Sequence, residues 1–242
     1  MAPLDRAVDD PRGVARGHGV GGPAHGPSTW AVVSFYERRI LPVLLDMTMR
    51  QRRLGKYRRH LIPTARGRVL EIGIGSGLNL PLYGEGVDVL VGLDPSERLL
   101  SMAHRRAAEA GVRTALLQAT ATRIPLGDAT VDTVVMTWTL CSLPDPPAAL
   151  REMRRVLTLS GALLFVEHGL SPEPAVGRWQ HRLTPVWRHL AGGCHLDRKI
   201  DDLIRSAGFE LAELRTAYAQ GPRPMTYIYE GRALPAVERH GR

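Results

Sequence analysis

From residue 67 onward, short apolar runs alternate with amphipathic stretches, a pattern that predicts a mostly parallel sheet covered on both faces by helices. Strands are predicted at 68–72, 88–93, 113–118, 131–137 and 162–167. Helices fit 79–83, 97–110 and 148–156 between them, the second with Ser96 as a cap and Gly111 as a stop. A further helix over 199–207 ends before Gly208. The runs 209–218 and 225–230, parted by Gln220, Gly221 and Pro222, then make an antiparallel pair at the end of the sheet. Ahead of the sheet, Phe35, Ile40, Leu44, Met47 and Leu54 recur at helical intervals, with Pro42 as a break or first-turn residue. Residues 1–28 are rich in Gly, Pro, Ala and Arg, have little to bury, and read as a flexible tail. The domain plan is a tail over 1–28, a helical extension over 29–66, one α/β domain over 67–232 and a carboxyl-terminal tail over 233–242.

Composition narrows the class. With 242 residues, 44% of them hydrophobic, the chain can bury one sizeable core without needing a second domain. Two cysteines build no disulfide framework, and no apolar run approaches the roughly 20 residues that span a bilayer. The amino terminus lacks a basic region followed by an apolar core, so a cytoplasmic protein is expected. The net charge of +8 is unevenly placed: residues 1–66 carry 12 Arg/Lys against 5 Asp/Glu, the remainder 20 against 19. The basic run Arg50, Arg52, Arg53, Lys56, Arg58 and Arg59 reads first as a solvated helix face, with peripheral attraction to an anionic lipid surface as the alternative. Nucleic acid is not expected as a partner, because only Tyr57 interrupts this run with an aromatic ring and no zinc-finger spacing exists. Asp145-Pro146-Pro147 is followed by Ala148, where a base-methylating enzyme would need a stacking aromatic residue.

The chemistry concentrates where the first strand ends, in Glu71-Ile72-Gly73-Ile74-Gly75-Ser76-Gly77-Leu78. Glycine serves where a chain turns tightly or must approach a ligand without a Cβ in the way. A dinucleotide fingerprint would need its third glycine where Leu78 stands, and no Gly-Lys-Ser/Thr follows for a phosphate loop. The second strand ends in Asp94-Pro95-Ser96, which places a carboxylate where it can accept both hydroxyls of a ribose. Glu71 would repel a pyrophosphate but suits a cationic methionyl group.

These residues resemble the class I S-adenosylmethionine-dependent methyltransferases. The resemblance rests on 71–77, on Asp94-Pro95-Ser96, on Arg123-Ile124-Pro125-Leu126-Gly127-Asp128, and on Glu152 and Arg155-Val156-Leu157 before Ser160-Gly161, and it covers about residues 67–168. It implies a seven-stranded sheet in the order 3-2-1-4-5-7-6 with strand 7 antiparallel, and S-adenosylmethionine as cofactor, leaving as S-adenosylhomocysteine. Glu71, Gly73, Gly75, Gly77, Asp94, Pro95, Thr120, Ala121 and Thr137 become the expected cofactor contacts. Relatives carry an acidic residue where Thr120 stands, so the adenine amine would be held differently here.

The loops after strands four and five, Thr137-Trp138-Thr139-Leu140-Cys141-Ser142 and Glu167-His168-Gly169, face the same crevice and make His168 the candidate base. A cap over the acceptor is expected from 169–198, with Trp138, Cys141, Trp179, Gln180, Trp187, Cys194 and His195 as candidate pocket residues. No metal site is expected, since Cys141, His168, Cys194 and His195 lack a compact ligand pair. Thr139-Leu140-Cys141-Ser142, Trp179-Gln180, Pro185-Val186-Trp187 and Gly193-Cys194-His195 are similar to the methyltransferase-like 7 group. Its animal members methylate alkyl thiols and hydrogen sulfide, which implies a small thiol acceptor. Quinol, amine or phospholipid methylation and non-catalytic cofactor binding are the alternatives.

Overall fold

The computed structural model describes residues 40–236. Two helices, α1 (Leu41–Met49) and α2 (Arg52–Leu61), lead into β1 (Gly67–Ile72), β2 (Val87–Asp94), α3 (Glu97–Ala107), β3 (Thr114–Gln118) and β4 (Val131–Thr137). They are followed by α4 (Pro146–Val156), β5 (Leu157–His168), α5 (Pro174–Leu190), α6 (Ile200–Ser206), β6 (Phe209–Tyr218) and β7 (Tyr227–Pro235). The seven strands form one sheet in the order β3-β2-β1-β4-β5-β7-β6. Only β7 runs antiparallel to its neighbours β5 and β6. The parallel strands therefore deliver all their carboxyl ends, and the loops after them, to one edge of the sheet.

Side-chain alternation builds a core on each face. Leu70, Ile72, Val134, Met136, Leu163 and Phe165 pack with α4 and α6 on one side. Val69, Val135, Leu164 and Val166 pack with Tyr57 and Leu61 of α2 and Leu100 of α3 on the other. Each of the fully buried Leu, Ile and Phe side chains contributes about 1.5–3 kcal/mol of transfer free energy, which explains why these strands read as continuous apolar runs. Ser96 Oγ accepts the Leu99 N–H at 3.3 Å and Asp145 Oδ1 the Ala148 N–H at 3.0 Å, starting α3 and α4.

The differences from the sequence reading are local. The helix expected at 79–83 is a single tight turn over Leu80–Leu82, in which Pro81 lacks the N–H a longer helix would use. Strand β5 begins at Leu157 instead of 162, because Leu157 pairs with Val131 across a register shift. Strand β7 starts at Tyr227 and runs through Pro235, so part of the expected tail over 233–242 is sheet: Ala233 faces Leu163, and Pro235 faces Phe209. The tail over 1–28 and the first part of the helical extension lie outside the described residues.

Candidate functional site

A cleft of about 430 Å³ opens at the carboxyl edge of the sheet, between the glycine turn, the ends of β2 and β4, and the two leading helices. The turn is pinned to β2 by two backbone bonds, Gly73 and Ile74 N–H donating to Leu93 O at 2.8 and 3.1 Å. Gly73 has φ +66°, and a Cβ there would lie 2.4 Å from Thr139 Oγ1, so neither the backbone nor the neighbour admits a side chain. Gly75 has φ +56° and differs in kind: a Cβ there would meet only Gly73 O, at 3.9 Å. The space in front of Gly75 is free for a ligand. Gly77 instead gives close packing, since its Cβ would strike Leu80 and Ala103.

Two carboxylates frame this turn. Asp94 Oδ2 accepts the Gly75 N–H at 3.0 Å and Oδ1 the Ser96 N–H at 2.8 Å, and burial raises its pKa against those bonds. Glu71, 1% exposed, accepts hydrogen bonds from Asn79 Nδ2 at 2.7 Å and Tyr83 Oη at 2.8 Å. Burial pushes its pKa up to about 7, with the Tyr83 and Asn79 bonds and the Arg58 charge opposing the rise. Pro95 and Thr137 line the cleft. Thr120 is exposed and pairs its hydroxyl with that of Thr122, while Ala121 is buried in the core, so neither reaches this cleft.

On the acceptor side the expected residues divide. Trp138 lines the cleft from a left-handed backbone conformation, φ +52°, rare for a large side chain and typical of residues aimed by a site. Of the expected cap over 169–198, Ala191 and Gly192 reach the cleft, beside Leu41 and Leu45 of α1. Trp179 is 55% exposed, with the Arg182 guanidinium over its ring. Gln180 is fully buried and ties the chain to itself, donating to Gly169 O at 3.0 Å and accepting from Ser171 N–H at 2.8 Å. Cys141, His168 and Cys194 gather behind the cleft wall, and half-buried Trp187 turns its indole N–H towards Cys194, whose pKa the Cys141 thiol and this indole both help to lower. His195 donates its backbone N–H to Cys141 O at 2.8 Å, while its ring stands 3.8 Å from Asp197. Glu167, wholly buried, accepts the N–H groups of Thr139, Leu140 and Cys141 at 2.8, 3.0 and 3.2 Å, which fixes the loop after β4. A second hollow, about 590 Å³, lies at the amino edge around Gly67 and Thr133, away from this turn.

A family model described as a methyltransferase domain matches residues 70–165. The chain is also 32% identical over 149 residues to the phosphatidylethanolamine N-methyltransferase of Cereibacter sphaeroides, a match covering 61% of this chain and 72% of that enzyme. The chain belongs to the class I S-adenosylmethionine-dependent methyltransferases. It is 35% identical over 152 residues to the thiol S-methyltransferase TMT1B of Rattus norvegicus, the match taking in 60% of this chain and 61% of the rat protein's length. The [4+2]-cyclase SpnF shares the fold, with a TM-score of 0.64 at 18% identity over 87% of this chain and 98% of that one.

This methyltransferase adds two cleft residues that the sequence reading did not single out. Asp46 is buried in α1, where Ser76 Oγ donates to it at 2.5 Å and Arg106 and Arg50 approach to 3.0 and 2.7 Å. Burial acts to raise its pKa, but Ser76, Arg50 and Arg106 outweigh that and hold it low. Arg106 also donates to Ser76 O, so one acid locks α1 over the glycine turn and against α3. Arg58, read as part of a solvated basic face, is 6% exposed; its guanidinium sits 4.6 Å over the Trp138 ring, and Nη1 donates to Met49 O at 2.8 Å. Its Nε has no partner among the described residues, and burial lowers its pKa to about 10 against the pull of Glu71. The only sequence cues were a single acid within an apolar helix and one arginine of a long run falling on its inner face.

Proposed function

We propose that this methyltransferase binds S-adenosylmethionine across the ends of β1 and β2 and methylates a small thiol. One observation carries the cofactor assignment: Gly75 is open to the cleft while its own N–H is bound by Asp94, so a bare turn and a ribose-accepting carboxylate are fixed to each other. The residues fit the group. Asp94 keeps acceptor capacity for two ribose hydroxyls, Glu71 would face the cationic methionyl portion, and Arg58, with Nε unpaired among the described residues, would supply a cation for its carboxylate. When bound, the cofactor would supply an electrophilic sulfonium methyl, whose carbon an acceptor lone pair attacks in line as the sulfur–methyl bond breaks and S-adenosylhomocysteine leaves with the bonding pair.

The chain's own contribution is placement. Trp138 and the apolar residues Leu41, Leu45 and Met49 of α1 enclose the acceptor side and exclude water, so that reacting atoms can be held near 3–3.5 Å. The carboxylates lining this cleft, Asp46, Glu71 and Asp94, are held within the fold or assigned to the cofactor, and no histidine lines it among the described residues, an arrangement that suits a nucleophile already deprotonated, as a thiolate is. The likeness to the rat thiol S-methyltransferase supports that choice. A second reading, methylation of an amine on a phospholipid headgroup, is favoured by the bacterial phosphatidylethanolamine enzyme. A labelled-methyl transfer assay with small alkyl thiols, quinols, amines and phosphatidylethanolamine vesicles decides. A labelled thioether is the expected product, labelled lipid establishes the second reading, and cofactor binding without transfer to any acceptor rejects both.

Glu71 makes the binding pH-dependent. Its pKa of about 7 in the free protein means that a cationic ligand, which prefers the carboxylate, must displace a proton at lower pH. Affinity should climb about tenfold per pH unit well below 7 and level off above it. Calorimetry from pH 5.5 to 7.5 should show this slope in the wild type and a flatter one in Glu71→Gln. Equal slopes in the two proteins would remove Glu71 from the cationic end of the ligand.

A further inference from the structure

Behind the cleft wall, three soft donors meet from three separate segments. Cys141 follows β4, His168 ends β5, and Cys194 lies in the Gly192-Gly193-Cys194 loop after α5. Their ligand atoms all fall within 4.8 Å of one another. The two Sγ atoms are 3.6 Å apart and His168 Nδ1 is 3.4 Å from Cys194 Sγ. Both cysteines are free thiols, Cys141 buried and Cys194 half-buried.

We propose that Cys141, His168 and Cys194 form a binding site for one thiophilic cation of the zinc class. Bond lengths of about 2.3 Å to sulfur and 2.0–2.1 Å to nitrogen give a tetrahedral zinc site edges of about 3.8 Å between sulfurs and about 3.5 Å between sulfur and nitrogen. The two measured separations match these edges closely. His168, only 7% exposed, directs Nδ1 at the sulfurs, so the nitrogen facing the cluster is the one that would ligate the ion.

The scaffold around the three donors is rigid before any ion arrives. Glu167 holds the Thr139–Cys141 backbone through its three N–H groups, and His195 N–H donates to Cys141 O at 2.8 Å, clamping the cysteine loops to each other. Binding a divalent ion releases both thiol protons, and the two thiolates neutralise its charge, so a buried complex of zero net charge forms. The half-buried Cys194 side gives the ion its way in. Ser142 follows Cys141, Gly192 lies two residues before Cys194, and both line the cleft, so an ion here would brace the acceptor wall.

The test uses the full reduced chain and does not depend on methyl transfer. Titration with Co²⁺ should give thiolate-to-cobalt charge-transfer absorption and tetrahedral d–d bands that saturate at one equivalent, and Zn²⁺ should bleach them. Zn²⁺ should also protect both cysteines from iodoacetamide, read by mass spectrometry. Cys194→Ser should lose the charge-transfer band, and His168→Gln should weaken binding at least tenfold, with circular dichroism and melting confirming that each variant folds. Absence of a saturable band in the wild type, an undiminished band in Cys194→Ser, or air oxidation of both thiols to a disulfide with Zn²⁺ present would overturn the proposal.

Discussion

Asp94→Ala should weaken binding of S-adenosylhomocysteine about a hundredfold while leaving the fold in place. Hydrogen bonds to a charged group are worth about 1.5–3 kcal/mol each. Losing the share of two ribose hydroxyls on one carboxylate amounts to about 3 kcal/mol, and each 1.4 kcal/mol is tenfold in affinity. The substitution also frees the Gly75 and Ser96 N–H groups, which loosens the turn that approaches the ligand. Stability should change less than affinity, because the carboxylate is itself 6% exposed and its burial raises its pKa, so removing it relieves a desolvation cost as it deletes two bonds. Asp94→Asn, which keeps one side-chain acceptor, should fall between wild type and alanine. Calorimetric titration beside thermal melting separates the two effects. Unchanged affinity in the alanine variant would defeat the ribose assignment.

The central strands were legible because they are buried on both faces, whereas β6 is mostly exposed and was read from its place beside the turn. Val131–Thr137 and Phe209–Tyr218 fall on the predicted bounds, and the terminal antiparallel pair could be read from the turn residues between two apolar runs. The glycine turn was legible because Gly73 and Gly75 adopt positive φ and thus leave a mark in residue type as well as in pattern. What escaped depends on side chains meeting across the fold. Asp46 binds Ser76, 30 residues on, and Arg106, 60 residues on, and no local pattern announces either partner. Arg58 differs from its basic neighbours only by the helix face it occupies. The ends of β7 and β5 were misjudged because pairing extends them: Ala233 and Pro235 become strand by having Leu163 and Phe209 opposite them. Cys141, His168 and Cys194 lie 27 and 26 residues apart in sequence, too far for a compact ligand motif, and only the parallel β4–β5 pairing and the returning loop bring them into one cluster.

Gly73→Ala should cost about 3 kcal/mol of folding stability and lower the melting temperature by roughly 6–12 °C for a domain of this size. Two separable causes add. An alanine at φ +66° costs about 1–2 kcal/mol for its left-handed backbone. Its Cβ, 2.4 Å from Thr139 Oγ1 and 2.7 Å from Cγ2, must also drive that side chain off the carbonyl of Ile72, to which Oγ1 donates at 3.2 Å. Thr139→Ala removes both clashing atoms, so the double variant should recover the steric part and keep the backbone part, giving a coupling energy of about 1–2 kcal/mol in a double-mutant cycle by urea denaturation. Cofactor binding should follow the same order, because the turn and the loop after β4 touch each other where they line the cleft and shift together when Thr139 is displaced. Additive losses would show that Gly73 and Thr139 do not share this contact, and that the turn owes its shape to backbone conformation alone.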